Sequence, residues 1–190
     1  MPVSFLQELE ALKKKAVSSF PQETVEELLQ LTDDMAQESV DKHTLREGDK
    51  IPDFKLQDAD GNWVESERLL EKSPLVLSFY RGGWCSFCSL ELRFLQKIYP
   101  EIKSEGAEIV AISPQTKEFS QKTKQENHLD FPVLSDIDNT VARSFGLIFE
   151  LVKNLANIYR LNFNLDLKAI NGNEHYEFPI PATYVVSQDG

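Results

Sequence analysis

A chain of 190 residues, 41% hydrophobic and 27% charged, can bury one sizeable core and still carry an extension or insertion. Twenty Lys and Arg against 31 Asp and Glu leave a formal charge of -11, which repels phosphate backbones and anionic lipid and disfavours nucleic-acid and membrane roles. Glu8 and Glu10 break the apolar N-terminus before a signal-peptide core forms, and no apolar run of about 18 residues exists, so a cytoplasmic protein is expected.

Phe5, Leu6, Leu9, Leu12, Ala16 and Val17 recur close to a helical period behind a Ser4 to Gln7 capping box. Pro21 then opens a second helix that Val25, Leu28 and Leu29 continue towards Val40. Residues 1 to 46 thus read as a helical extension ahead of a main domain at 47 to 190. Residues 51 to 56 and 62 to 64 form two short strands about the turn signal Asp58-Ala-Asp-Gly61, a hairpin. The apolar run 75 to 80, bounded by Pro74 and Gly82-Gly83, predicts a buried strand.

Cys88, Leu92, Leu95 and Tyr99 then mark one face of a helix that Gly106 ends, and residues 108 to 113 form the next buried strand. Strand, helix and strand in this order predict a parallel, right-handed crossover, hence an α/β fold. A helix near 116 to 127, a short strand at 131 to 134 and a helix from Asp138 to Gly146 follow. Residues 148 to 160 read as a helical insertion, residues 161 to 178 carry no clear pattern, and 182 to 186 form the last strand. Asp189-Gly190 is a hairpin signal with no second strand after it.

Chemistry concentrates at Arg81-Gly-Gly-Trp-Cys-Ser-Phe-Cys88, where a buried parallel strand gives way to a helix. Unpaired amides and the positive end of the helix dipole stabilise a thiolate there, and Arg81 adds positive charge. Residues three apart share a helix face, so Cys85 and Cys88 are within disulfide reach, one thiol attacking and the other resolving. Structural zinc usually takes four ligands, and His43, His128 and His175 are scattered without ligand spacing, so neither metal nor cofactor is expected. Two thiols packed as small hydrophobes remain the bland alternative. Trp84 either shields the pair and docks partners or simply packs; Glu91 either handles a proton near Cys88 or is an exposed helix carboxylate; Arg143 reads as a solvated helix residue.

Phe79-Tyr80, followed by Cys88 and then Glu91, resembles the active-site segment of peroxiredoxins of the alkyl hydroperoxide reductase and thiol-specific antioxidant family. Gly48-Asp-Lys-Ile-Pro-Asp-Phe-Lys-Leu56 is similar to that family's opening strand, and Pro181-Ala-Thr-Tyr-Val-Val186 to its late strand. The resemblance spans about residues 47 to 190 and implies a thioredoxin-like fold, a central mixed sheet flanked by helices, with a further strand and helix beyond Gly190. It implies a thiol peroxidase acting on hydrogen peroxide or organic hydroperoxides. An external thiol would reset it, either a thioredoxin- or glutaredoxin-like protein or a small thiol.

Three positions depart from the pattern. Cys85 stands where peroxiredoxins have threonine, Arg81 where they have proline, and Pro181 where they have arginine. The first makes the segment resemble the Trp-Cys-x-x-Cys of thioredoxins, and Pro181 resembles their cis-proline beside the disulfide. Peroxiredoxin alignment makes Cys88 the nucleophile and the thioredoxin pattern makes it a more exposed Cys85, so both assignments stand. A disulfide oxidoreductase without peroxidase activity is the second functional reading, and a binding protein that uses its thiols for packing or zinc the third. An uncovered sheet edge would allow pairing with a second copy.

Overall fold

The computed structural model describes residues 4–19, 21–26, 30, 44–150, 160 and 165–190. In chain order its elements are α1 (Phe5–Ser18), β1 (Lys55–Asp58), β2 (Trp63–Glu65), α2 (Ser66–Leu70), β3 (Leu75–Phe79), α3 (Ser86–Ser104) and β4 (Glu108–Ser113). There follow α4 (Lys117–Glu126), β5 (Val133–Ser135), α5 (Thr140–Ser144), β6 (Ile148–Glu150), α6 (Leu167–Asn171), β7 (Glu177–Pro179) and β8 (Ala182–Val186).

Side chains alternate across a strand, and this sorts the core into two layers. Leu75, Leu77 and Phe79 of β3 face one side with Val110, Ile112 and Leu134, where Val141, Phe145 and Leu147 cover them. Ile109, Ala111 and Val133 face the other, where Tyr80, Cys85, Cys88 and Leu92 pack. Burial on both faces explains why β3 and β4 read as unbroken apolar runs. They pair in parallel from Leu75 opposite Glu108 to Phe79 opposite Ile112, as the crossover reading requires.

The main sheet has the order β2-β1-β5-β4-β3-β8, with β4 and β5 parallel and the hairpin β1-β2 and strand β8 antiparallel to their neighbours. This is the central mixed sheet flanked by helices that the thioredoxin-like expectation demands. All three inner parallel strands end on one edge, where the loop carrying the cysteines begins. The Ser4 to Gln7 capping box forms in full at the start of α1, and α1 rests on α3 through Phe5 against Phe94, ring centres 4.9 Å apart. Residues 22–26 are helical; the rest of the predicted second helix lies outside the described residues.

Two local expectations change. The predicted helix over 148 to 160 begins as strand β6, because Phe149 finds a cross-strand partner in Phe178, a non-local pairing that overrides helical spacing; residues 151–159 lie outside the described residues. The helix expected from Asp138 starts at Thr140, after Asn139, and its first turn is held by Asp136, whose carboxylate accepts from the amides of Val141 at 3.2 Å and Ala142 at 2.9 Å. Asp136 is buried, and burial pushes its carboxyl up while those amides hold it down. Asp136→Ala leaves both amides without an acceptor in a dry site, so urea unfolding is expected to show a loss of about 2 kcal/mol. No helix among the described residues is long and apolar enough to cross a membrane.

Candidate active site

Chain direction brings the site together. Strand β3 ends at Phe79, Tyr80 stays fully buried, and the backbone then turns through Arg81-Gly82-Gly83-Trp84 into α3. Cys85 is the N-cap of that helix, with extended backbone (φ -83, ψ 107), and its sulfur accepts the amide of Cys88 as a serine oxygen would. The cap position places the sulfur at the positive end of a 19-residue helix.

Three donors converge on Cys85 Sγ: Arg81 Nη2 at 3.1 Å, the Cys88 S–H at 3.0 Å and the Cys88 amide at 3.4 Å. Both thiols are reduced, and a covalent bond would close the sulfur separation to about 2.05 Å. The hydrogen bond from Cys88 and the Arg81 charge hold the Cys85 thiol well below the usual cysteine range, against burial, which works the other way. Donating that hydrogen bond, together with burial and the neighbouring negative sulfur, pushes the Cys88 thiol far up. The pair is therefore an acidic acceptor and a proton-holding donor.

Exposure does not separate the two sulfurs. Cys85 is 4% exposed and Cys88 2%, so the expectation of a distinctly more open Cys85 is not met; hydrogen bonding makes the asymmetry instead. Trp84 is half-buried against Phe178, ring centres 5.7 Å apart and nearly perpendicular, and the Arg81 guanidinium lies 5.7 Å from its ring centre. That contact fixes the indole beside the loop and steadies the cation that reaches Cys85.

Glu91 lies one turn beyond Cys88 on α3, and Pro181 lies just ahead of β8. Glu91 accepts a hydrogen bond from Thr183 Oγ1 at 3.2 Å, tying α3 to β8. Pro181 is exposed, one residue beyond the Phe79–Ala182 pair, and the expected cis bond is absent: Ile180 donates its amide to the Leu147 carbonyl and the chain runs extended from β7 into β8. Arg143 pairs with Glu177.

The sequence reading missed the groups that hold the loop. Gln115, just past β4 and 2% exposed, accepts the Gly83 amide at 2.9 Å and the Thr123 hydroxyl at 3.0 Å through the same oxygen. On the other side the Gly83 carbonyl accepts from Ser89 Oγ at 2.9 Å. A Cβ on Gly83 would overlap the Thr123 hydroxyl, which explains the glycine by close approach. Gly83→Ala is accordingly expected to cost about 1–3 kcal/mol in a thermal or urea melt. The signal available was position: a polar residue directly after a buried parallel strand, on the edge where such sheets gather ligand-binding and reactive groups. Beside this loop a pocket of about 360 Å³ opens between α4 and α6, walled in part by Trp84, Gln115 and Phe119, with neither sulfur on its surface.

Comparison with known proteins agrees with this architecture. The AhpC/TSA family pattern matches residues 47–190. A Mycobacterium tuberculosis protein that carries the name peroxiredoxin is 30% identical over 122 residues, 64% of this chain and 79% of its own length. The thiol-disulfide oxidoreductase ResA of Bacillus thuringiensis is 29% identical over 108 residues, 56% of this chain and 61% of ResA. Among solved structures, the peroxidoxin BcpB of Mycobacterium tuberculosis superposes with a TM-score of 0.60 at 26% identity, covering 75% of this chain and 79% of BcpB. A thioredoxin-like sheet with a thiol pair at its crossover helix, and a family match over the whole of that unit, make this chain a member of the AhpC/TSA family and a peroxiredoxin-like oxidoreductase.

Proposed function

We propose that the protein reduces hydrogen peroxide or organic hydroperoxides through a Cys85–Cys88 disulfide cycle in which Cys85 is the attacking thiolate. The observation that carries this reading is the convergence of Arg81, the Cys88 thiol and the Cys88 amide on one sulfur. Thiolates, not thiols, attack peroxide, and hydrogen bonding to the charged form stabilises it.

The Cys85 thiolate attacks one peroxide oxygen, the O–O bond breaks, and the leaving alkoxide or hydroxide takes a proton from solvent to depart as alcohol or water. Cys85 is now a sulfenic acid. The Cys88 sulfur, already in contact, displaces its hydroxyl; a disulfide forms and water leaves with the Cys88 proton. Two equivalents of an external thiol, from a thioredoxin- or glutaredoxin-like protein or a small thiol, return both cysteines to the reduced state and leave as a disulfide. Arg81 stabilises the thiolate and the negative charge that builds on the peroxide oxygen during attack. Trp84, half-exposed beside Cys85, offers the reductant an apolar face.

Treating the reduced protein with one equivalent of peroxide is expected to lower its mass by two hydrogens, lost between Cys85 and Cys88. Retention of both thiols would contradict the cycle. A disulfide oxidoreductase without peroxidase activity is the second reading, favoured by the cysteine at position 85 and the likeness to ResA. Fast reduction of an insulin-type disulfide together with peroxide oxidation at the rate of free cysteine would select it.

A further inference from the structure

We propose that Gln115 is a positioning residue for Cys85: its buried carboxamide holds the Gly82-Gly83 turn in the conformation that brings the Arg81 guanidinium onto the Cys85 sulfur. This inference rests on Cys85 being the reactive thiolate. Arg81 and Cys85 are separated by two glycines and a tryptophan, so the 3.1 Å contact between them depends on the path of the intervening backbone. Two adjacent glycines have the widest conformational choice of any dipeptide, and Gly82 sits at φ 149, where other residues are strained.

Something outside the turn must select one path. The Gly82 carbonyl accepts the Cys85 amide at 3.1 Å, but that bond is internal to the turn and moves with it. Fixed points come from elsewhere in the chain: Gln115, anchored at the end of β4, takes the Gly83 amide, and Ser89, one turn into α3, takes the Gly83 carbonyl. The Thr123 hydroxyl lies within hydrogen-bond distance of that same Gln115 oxygen and of the Phe119 carbonyl in its own helix, so α4 fixes the carboxamide in turn. Gly83 is thereby clamped through both of its backbone polar groups by residues outside the turn. A buried amide is costly unless its hydrogen bonds are made, and here the partner is the backbone that leads to the sulfur.

Gln115→Met keeps the length and volume of the side chain and removes the acceptor. The test is ultraviolet titration of the thiolate in the reduced protein, with circular dichroism to establish folding. The thiolate midpoint is expected to rise by about one pH unit, a tenfold loss of thiolate in the region where it titrates. Asp136→Ala, which weakens the fold away from the turn, is expected to lower the melting temperature and leave the midpoint unmoved. An unchanged midpoint in folded Gln115→Met, or an equal rise in Asp136→Ala, overturns the proposal. Should Gln115→Met fail to fold, Ser89→Ala frees the other side of the clamp; a smaller rise supports the proposal and an unchanged midpoint overturns it. A wild-type thiolate that forms only in the ordinary cysteine range is a different failure, that of Cys85 as the reactive thiolate.

Discussion

Cys85→Ser is expected to slow oxidation by peroxide about a thousandfold or more, while Cys88→Ser keeps the first step within about tenfold of the intact protein and stops after it. In the first variant the remaining sulfur is a buried thiol, whose burial opposes the pull of the Arg81 charge, and a thiol is a poor nucleophile towards peroxide. In the second, the serine hydroxyl can still donate to Cys85, and the Arg81 contact remains, so the thiolate persists. Its oxidation then ends at sulfenic acid, because no second sulfur displaces the hydroxyl, and excess peroxide carries it on to sulfinic acid. Stopped-flow oxidation of each variant, with the product identified by mass, checks both halves. The reverse pattern, a first step lost in Cys88→Ser and kept in Cys85→Ser, would assign the nucleophile to Cys88, as alignment with peroxiredoxins does.

Arg81→Met carries the next largest effect. Removing the guanidinium takes away a hydrogen bond and a full charge from the thiolate but leaves the Cys88 donors, so the Cys85 midpoint rises without returning to the free value. The direction of that rise fixes the pH window. Between the lowered midpoint of the intact protein and the raised midpoint of the variant, the variant holds less thiolate and reacts more slowly, by about tenfold for each pH unit that separates the two midpoints. Above both midpoints the two thiolates are equally populated and the rates approach each other. Because nucleophilicity grows as a thiol becomes more basic, the residual difference at high pH is smaller than the loss of transition-state charge alone would give. A pH profile of the second-order rate separates these regimes. Equal rates for Arg81→Met and the intact protein at every pH, including below the ordinary cysteine range, would leave Arg81 without a role in the chemistry.

Much of the fold was legible because it is written locally. The apolar run before Gly82, the spacing of Cys88, Leu92, Leu95 and Tyr99, and the capping box at Ser4 each specify one element from neighbouring residues alone. The same locality placed Cys85 and Cys88 at a strand-to-helix junction. What the sequence left open depends on distant partners. Gln115 meets Gly83 across 32 positions, and β6 forms because Phe178 lies opposite Phe149. The helix read from Asp138 starts two residues later, and Asp136 holds its first turn because its carboxylate points back over the helix start, a matter of loop geometry. The proposed choice of Cys85 over Cys88 rests on side-chain direction. Arg81 and the Cys88 S–H both aim at Cys85, and no spacing rule encodes that.

Resemblance alone misled at one position. Pro181 stands where thioredoxins keep a cis-proline, yet its peptide bond is trans and its ring is exposed. Glu91, drawn in by its distance from Cys88 in the chain, is occupied by Thr183 of the neighbouring strand. The proposed site centres on two sulfurs, one guanidinium, the indole beside it and the glycine turn held by Gln115 and Ser89.

On the proposed cycle Cys85 is a thiolate at pH values where an ordinary cysteine is a thiol, and peroxide oxidises it. Stopped-flow measurement of the reduced protein with hydrogen peroxide, across pH and beside free cysteine, tests this most directly. A rate far above that of free cysteine, which stays level well below the ordinary cysteine range near about pH 8.5, is the predicted result. A rate that follows free cysteine in both size and pH dependence would contradict it.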